Sequence, residues 1–193
     1  MDFFFVRDHR GRLRFYTAGP LGPLPARFSK SREVWEAAKK KVIGLDPRTL
    51  LQEQAFELGG RPGEGPLRVL HSGLHDERSV RTKLFFFLQR HRTRHIALLV
   101  GEGLAVPFTA PIALLPGPNI VFYVLAIVMI IQWQALRGIK HILGREHELV
   151  ADPLLAEWEE AVEAGDEGRF PAILDRLEQV HRLPSPRRLL WRS

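Results

Sequence analysis

The sequence predicts an α+β membrane protein: a small cytosolic sheet-plus-helix domain, a two-helix transmembrane hairpin and a C-terminal helical hairpin. Three observations carry the prediction. Short runs rich in aromatic and β-branched residues stand near the N-terminus, and an alternating run follows at 67–72. Two apolar stretches, 96–115 and 120–136, share a single charge, Glu102. Beyond residue 151, two segments with helical spacing of apolar residues flank a Gly-containing turn.

Charge divides the chain in the same way. Residues 1–95 carry 19 Lys/Arg against 10 Asp/Glu, 96–144 carry 2 against 1, and 145–193 carry 7 against 11. A basic half before a charge-poor middle suits nucleic acid or a membrane flank, and the apolar middle favours the membrane. Apolar residues make up 45% of the 193, so the chain is not compositionally disordered. With no cysteine, disulfide frameworks, thiolate metal sites and cysteine nucleophiles are excluded. "MDFFFVRDHR" does not read as a signal peptide, because its apolar run ends at Val6, and it does not resemble a transit peptide.

The first unit spans 1–75. "FFFVRDHRGRLRFY" (3–16) reads as a β-hairpin whose turn ends at Gly11. Arg12, Arg14 and Tyr16 alternate with Leu13 and Phe15, giving one basic and one apolar face. A loop follows at 18–25, then a helix over 31–43 with Lys39, Lys40 and Lys41 near its C-terminal end, where the helix dipole favours cations. Asp46-Pro47 starts a second helix that runs to about Leu58. "LRVLHS" (67–72) alternates as a third strand beside the hairpin.

A basic amphipathic helix occupies 76–95. Val80, Leu84, Phe87 and Leu88 form its apolar stripe. Arg78, Arg81, Lys83, Arg90, Arg92 and Arg94 are placed to meet anionic lipid headgroups, as are Arg137 and Lys140 beyond the apolar region.

The hairpin is assigned to 96–136. As helices its halves span roughly 30 and 25 Å, against a bilayer core of about 30 Å. Both outer flanks are basic, so both termini are expected in the cytoplasm. The turn at Pro116, Gly117, Pro118 and Asn119 fits a loop with few backbone donors, with Asn119 able to cap the second helix. Pro107 and Pro111 each release a carbonyl four residues earlier, those of Gly103 and Pro107, for which Thr109, a packed neighbour or a bound cation could serve. Counted from the loop, Glu102 lies level with about Gln132 to Gln134, with Arg137 one turn further on. It has two readings. One is an interfacial carboxylate paired with Arg137 or a Gln. The other is a carboxylate that exchanges a proton for a cation beside the Gly103 carbonyl, a site comprising Glu102, Gly103, Pro107 and Thr109.

The acidic tail, 137–193, reads as two helices starting at Asp152-Pro153 and near Arg169. They pack Leu155, Trp158 and Val162 against Ile173, Leu177 and Val180. "HILGREHE" (141–148) reads as a solvated helix end, and His71 and His75 as surface or strand-end histidines rather than metal ligands. There is no Walker loop, dinucleotide fingerprint or nucleophile elbow, so no enzyme, cofactor or metal centre is expected.

One joined pattern goes further. It consists of Pro107-Phe108-Thr109, the Leu115–Asn119 turn, the aromatic pair Phe122 and Tyr123, and the Ala135-Leu136-Arg137-Gly138-x-Lys140-His141 segment. It resembles the mitochondrial potassium–proton exchange-related family, which includes bacterial members, over about Leu84 to Leu143. The resemblance implies an integral membrane protein linked to potassium–proton exchange and cation homeostasis, as a subunit or accessory factor. It brings no catalytic residues. The expected setting is a bacterial inner membrane, as a homo-oligomer or in a larger complex, with potassium and protons as the ions and no nucleic acid. A membrane-anchored scaffold that recruits protein partners is the alternative.

Overall fold

The computed structural model describes residues 2–17, 52, 53, 55–57, 59, 66–109, 120–181, 183 and 186–191. The expected helix over 31–43, the 18–25 loop, the start of the second helix at Asp46-Pro47 and the turn at 116–119 lie outside the described residues.

Strands β1 (Asp2–Arg7) and β2 (Leu13–Thr17) form the expected antiparallel hairpin, registered from Phe3↔Thr17 to Arg7↔Leu13. Asp8, fully buried, organises the turn. Its Oδ1 accepts from the backbone N–H of Arg10 at 3.0 Å and of Arg12 at 2.9 Å. Gly11 takes the left-handed position at φ +72°. The third expected strand is β3 (Leu67–His71), parallel to β1. A fourth, β4 (His147–Ala151), runs parallel to β3 and completes the order β2-β1-β3-β4.

Alternation sends Phe4, Val6, Tyr16 and Leu70 to one face and Phe3, Phe5, Phe15 and Val69 to the other, and all are buried. A sheet covered on both faces needs continuous apolar runs, which explains Phe3-Phe4-Phe5-Val6. Tyr16, on the supposed basic face of β2, is buried as well.

The tail covers the first face. Helices α3 (Pro153–Ala164) and α4 (Phe170–His181) pack Leu155, Trp158, Ile173 and Leu177 on the sheet, and the π-helical turn Arg187–Trp191 adds Leu189 and Leu190. Trp158 Nε1 donates to the Arg7 carbonyl at 2.8 Å, and the His9 N–H donates to the Leu190 carbonyl at 2.7 Å. Asp152 caps α3, its Oδ1 accepting from the N–H of Leu154 and Leu155 at 2.9 and 3.0 Å. Its other oxygen lies 2.9 Å from His181 Nε2 at the end of α4. Replacing Asp152 with alanine removes both contacts and is expected to lower stability by about 1–2 kcal/mol in urea titrations.

Helices α1 (Glu77–Thr109) and α2 (Ile120–Leu143) cover the second face. Val80, Leu84 and Leu88 of α1 meet Ala135, Ile139 and Ile142 of α2, with Ala55 and Phe56 wedged beside them; these two belong to the described helical residues 52, 53, 55–57 and 59, the 52–59 segment.

Two expectations are corrected. The transmembrane hairpin over 96–136 is overturned: among the described residues, no helix is long and apolar enough to cross a membrane. The apolar stretch from 96 is not a separate span, since it continues a helix that begins at Glu77 and carries the basic residues of 78–94. On α2, Ala135 within the supposed span and Ile139 and Ile142 just beyond it are spent on the sheet core, and Ile131 is buried as well. An integral membrane protein is therefore not supported. The solvated helix end at 141–148 is corrected too. Helix α2 stops at Leu143, and His147 opens β4. That strand sits at a sheet edge with Leu149 and Val150 only half-buried, so its alternation is faint. Its partner β3 lies far away in sequence, where no local pattern reports it.

Candidate anion-binding site

Lys83, Phe86, Phe87, Arg90, His91 and Arg94 recur at three- and four-residue spacing, which puts them on one stripe of α1. The β1–β2 hairpin sets Arg12, Leu13 and Arg14 opposite. Together these residues line an open cavity of about 960 Å³. Among the described residues, nine line it, of which five are cationic and none is acidic. Arg14 leans on the buried Asp8, with Nε 3.5 Å from Oδ2. Arg12, Lys83, Arg90 and Arg94 form no ion pair among the described residues.

The floor is polar and buried. The His91 ring lies 4.6 Å from that of Phe87 and 5.4 Å from that of Phe56, centroid to centroid. It accepts from the Gln52 amide at 3.0 Å. Burial pushes the His91 imidazole down to about 4, with His95, Arg94, Arg14 and Arg90 adding repulsion. His95, one turn on, is 2% exposed. Its Nδ1 donates to Gln132 Oε1 of α2, and its Nε2 lies 3.4 Å from Glu53 Oε1. With Nδ1 donating, the Nε2–Glu53 contact is attractive only when a proton sits on one of the two groups. Burial is the main force lowering the His95 pKa, the Gln132 bond opposes it, and Arg94 lowers it further. These side chains tie the 52–59 segment, α1 and α2 together beneath the cavity.

The expected headgroup residues separate into groups. Lys83, Arg90 and Arg94 line the cavity. Arg137 and Lys140 line a second hollow of about 270 Å³ with His141, Gly144 and Arg145. Arg78, Arg81 and Arg92 lie on α1 outside both. Sequence reasoning missed Arg12, Arg14 and His91 as cavity residues. The alternation over 12–16 marked both arginines, but not that the hairpin brings them to a cavity shared with α1.

Of the expected proton or cation group, Glu102, Gly103 and Pro107 lie on α1 and Thr109 ends it. The His95–Gln132 bond sets the register of the helix pair and places Glu102 two turns, about 10 Å, beyond Gln132 rather than level with it. Glu102 forms no ion pair with Arg137, and its buried Oε2 lacks a hydrogen-bond partner among the described residues. Burial pushes its carboxyl above the usual range. Among the described residues no cluster of three or more His, Cys, Asp or Glu could hold a metal ion.

Fold and site together define a mixed α/β protein with a cationic cavity on its helical layer. Residues 30–144 match the family described as mitochondrial K+-H+ exchange-related, and the chain belongs to that family. The match takes in the 52–59 segment, β3, α1 and α2, and leaves the N-terminal hairpin and C-terminal helices outside. No curated protein and no solved structure matches the chain. Membership links it to potassium–proton exchange.

Proposed function

We propose that this chain serves potassium–proton exchange as a subunit or accessory factor that works against an anionic membrane surface. The observation that carries this reading is a set of cations, Arg12, Lys83, Arg90 and Arg94, that have no ion-pair partner among the described residues and gather around one cavity. Each Lys or Arg near an anionic leaflet contributes about 1 kcal/mol, so four supply reversible attachment without a span. The inner leaflet of an inner membrane, rich in anionic lipid, is the surface that fits, with both termini on its cytoplasmic side.

A partnered role has its own support. Val100 and Leu104 on α1 and Ile130 and Trp133 on α2 are exposed, and exposed large apolar side chains at this density suit a complex.

Flotation with lipid vesicles tests the reading. The protein is expected to float with phosphatidylserine-containing vesicles, to stay behind with zwitterionic ones, and to be released by high salt, which screens surface charge. Equal recovery with both kinds of vesicle would contradict it.

A further inference from the structure

We infer that the cavity between β2 and α1 is a binding site for a ligand carrying two or more phosphate groups. The inference deepens the membrane-surface reading by naming the ligand at the same cavity, and it rests on that reading only for where the ligand is met.

The chemistry of the walls selects phosphate. Four of the five cations are arginines, whose planar forks grip two phosphate oxygens at once. Arg14 is already engaged by Asp8, which leaves four positive charges to neutralise. A carboxylate would leave three of them unmatched and a single phosphate about half, whereas two linked phosphates would match most of the charge. The cations also converge from two elements, the hairpin on one side and α1 on the other, around one hollow. A nucleic-acid track would string them along a surface. The hollow, at about 960 Å³, stands at the upper end of the roughly 300–1,000 Å³ typical of small-molecule sites. It has room for more than the phosphates alone, and Phe86, Phe87 and Leu13 give that remainder an apolar wall. His91 at the floor, kept neutral by burial, adds a polar group without a carboxylate's repulsion.

A polyphosphorylated lipid headgroup and a soluble polyphosphate ester share this chemistry. Two arms separate them. In the first, the full chain is titrated calorimetrically with inorganic pyrophosphate and with orthophosphate. In the second, it is floated with vesicles containing a bisphosphorylated inositol lipid or phosphatidylserine at matched surface charge. Pyrophosphate is expected to bind one-to-one and about tenfold or more tighter than orthophosphate. Arg90→Ala with Arg94→Ala should weaken it by a further tenfold or more, while Arg78→Ala with Arg81→Ala, outside the cavity, should leave it unchanged. Thermal melts of both variants establish that they fold. A preference for the bisphosphorylated lipid over matched phosphatidylserine supports the site with a lipid source. Pyrophosphate binding without that preference supports it with a soluble source. Absence of saturable pyrophosphate binding together with vesicle binding that follows charge alone overturns the site while leaving the membrane-surface reading intact. Equal losses in the two double variants overturn it too.

Discussion

Gly138→Ala is expected to destabilise the protein by about 3 kcal/mol, although alanine is the better helix former by about 1 kcal/mol. Gly138 is buried on α2 where that helix crosses the 52–59 segment. A Cβ there would land on the Phe56 carbonyl. Backbone on one side and helix on the other leave nothing to swing aside, so the helix must back off or the segment must undock. The segment carries Phe56, Gln52 and Glu53, so its loss would also strip the partners of His91 and His95. Gly101→Ala and Gly103→Ala supply the control. Nothing lies within 4 Å of a Cβ at either position, so there helix propensity alone should act and stabilise by up to about 1 kcal/mol. Urea midpoints for the three variants decide the matter. A neutral or stabilising Gly138→Ala would mean that α2 and the segment do not approach as described.

Acid is expected to loosen the same junction. His91 is held at about 4 in the folded protein against 6.5 for an ordinary histidine. The unfolded chain therefore binds the extra proton first. The stability that neutral His91 contributes is fully present above about pH 6.5 and is lost as pH falls toward 4. After allowance for solvent access, the loss is on the order of 2 kcal/mol. His71, His95 and His147 are shifted down by burial as well and add in the same direction. His91→Gln keeps an acceptor for Gln52 and removes the titration. Its urea midpoint should change less between pH 7 and pH 4.5 than that of the unaltered protein. Parallel curves for the two proteins would place the acid sensitivity elsewhere.

Much of this architecture was legible before the structure. The aromatic runs of 3–16 and the alternation of 67–72 announced three of the four strands, and Asp152-Pro153 announced α3 with its cap. The fourth strand was not legible, because its five residues at a sheet edge are half-buried and pair with a strand far away in sequence. The membrane hairpin was a misreading with an identifiable cause. Counting apolar residues in a window takes no account of where a helix begins or of which side chains a sheet has claimed. Ile131 and Ala135 resemble part of a span by composition, yet both are buried, and Ala135 shares a mixed core with Phe56, Leu84 and Leu88. The cavity was half legible. Helical spacing put Lys83, Arg90 and Arg94 together, whereas the arrival of Arg12 and Arg14 depends on how the hairpin packs against α1. Gly138 stood within the segment that carried the family resemblance, but its reason, the crossing of Phe56, is a tertiary contact.

The most direct test of an accessory role in exchange is the potassium-driven pH change in membrane vesicles from cells that lack this chain, measured before and after purified protein is added. An accessory factor should restore or increase the change in those vesicles and give nothing above background when reconstituted alone in plain liposomes. Exchange by the purified chain in plain liposomes would make it the exchanger itself and contradict the accessory role, and so would native vesicles that do not respond to it.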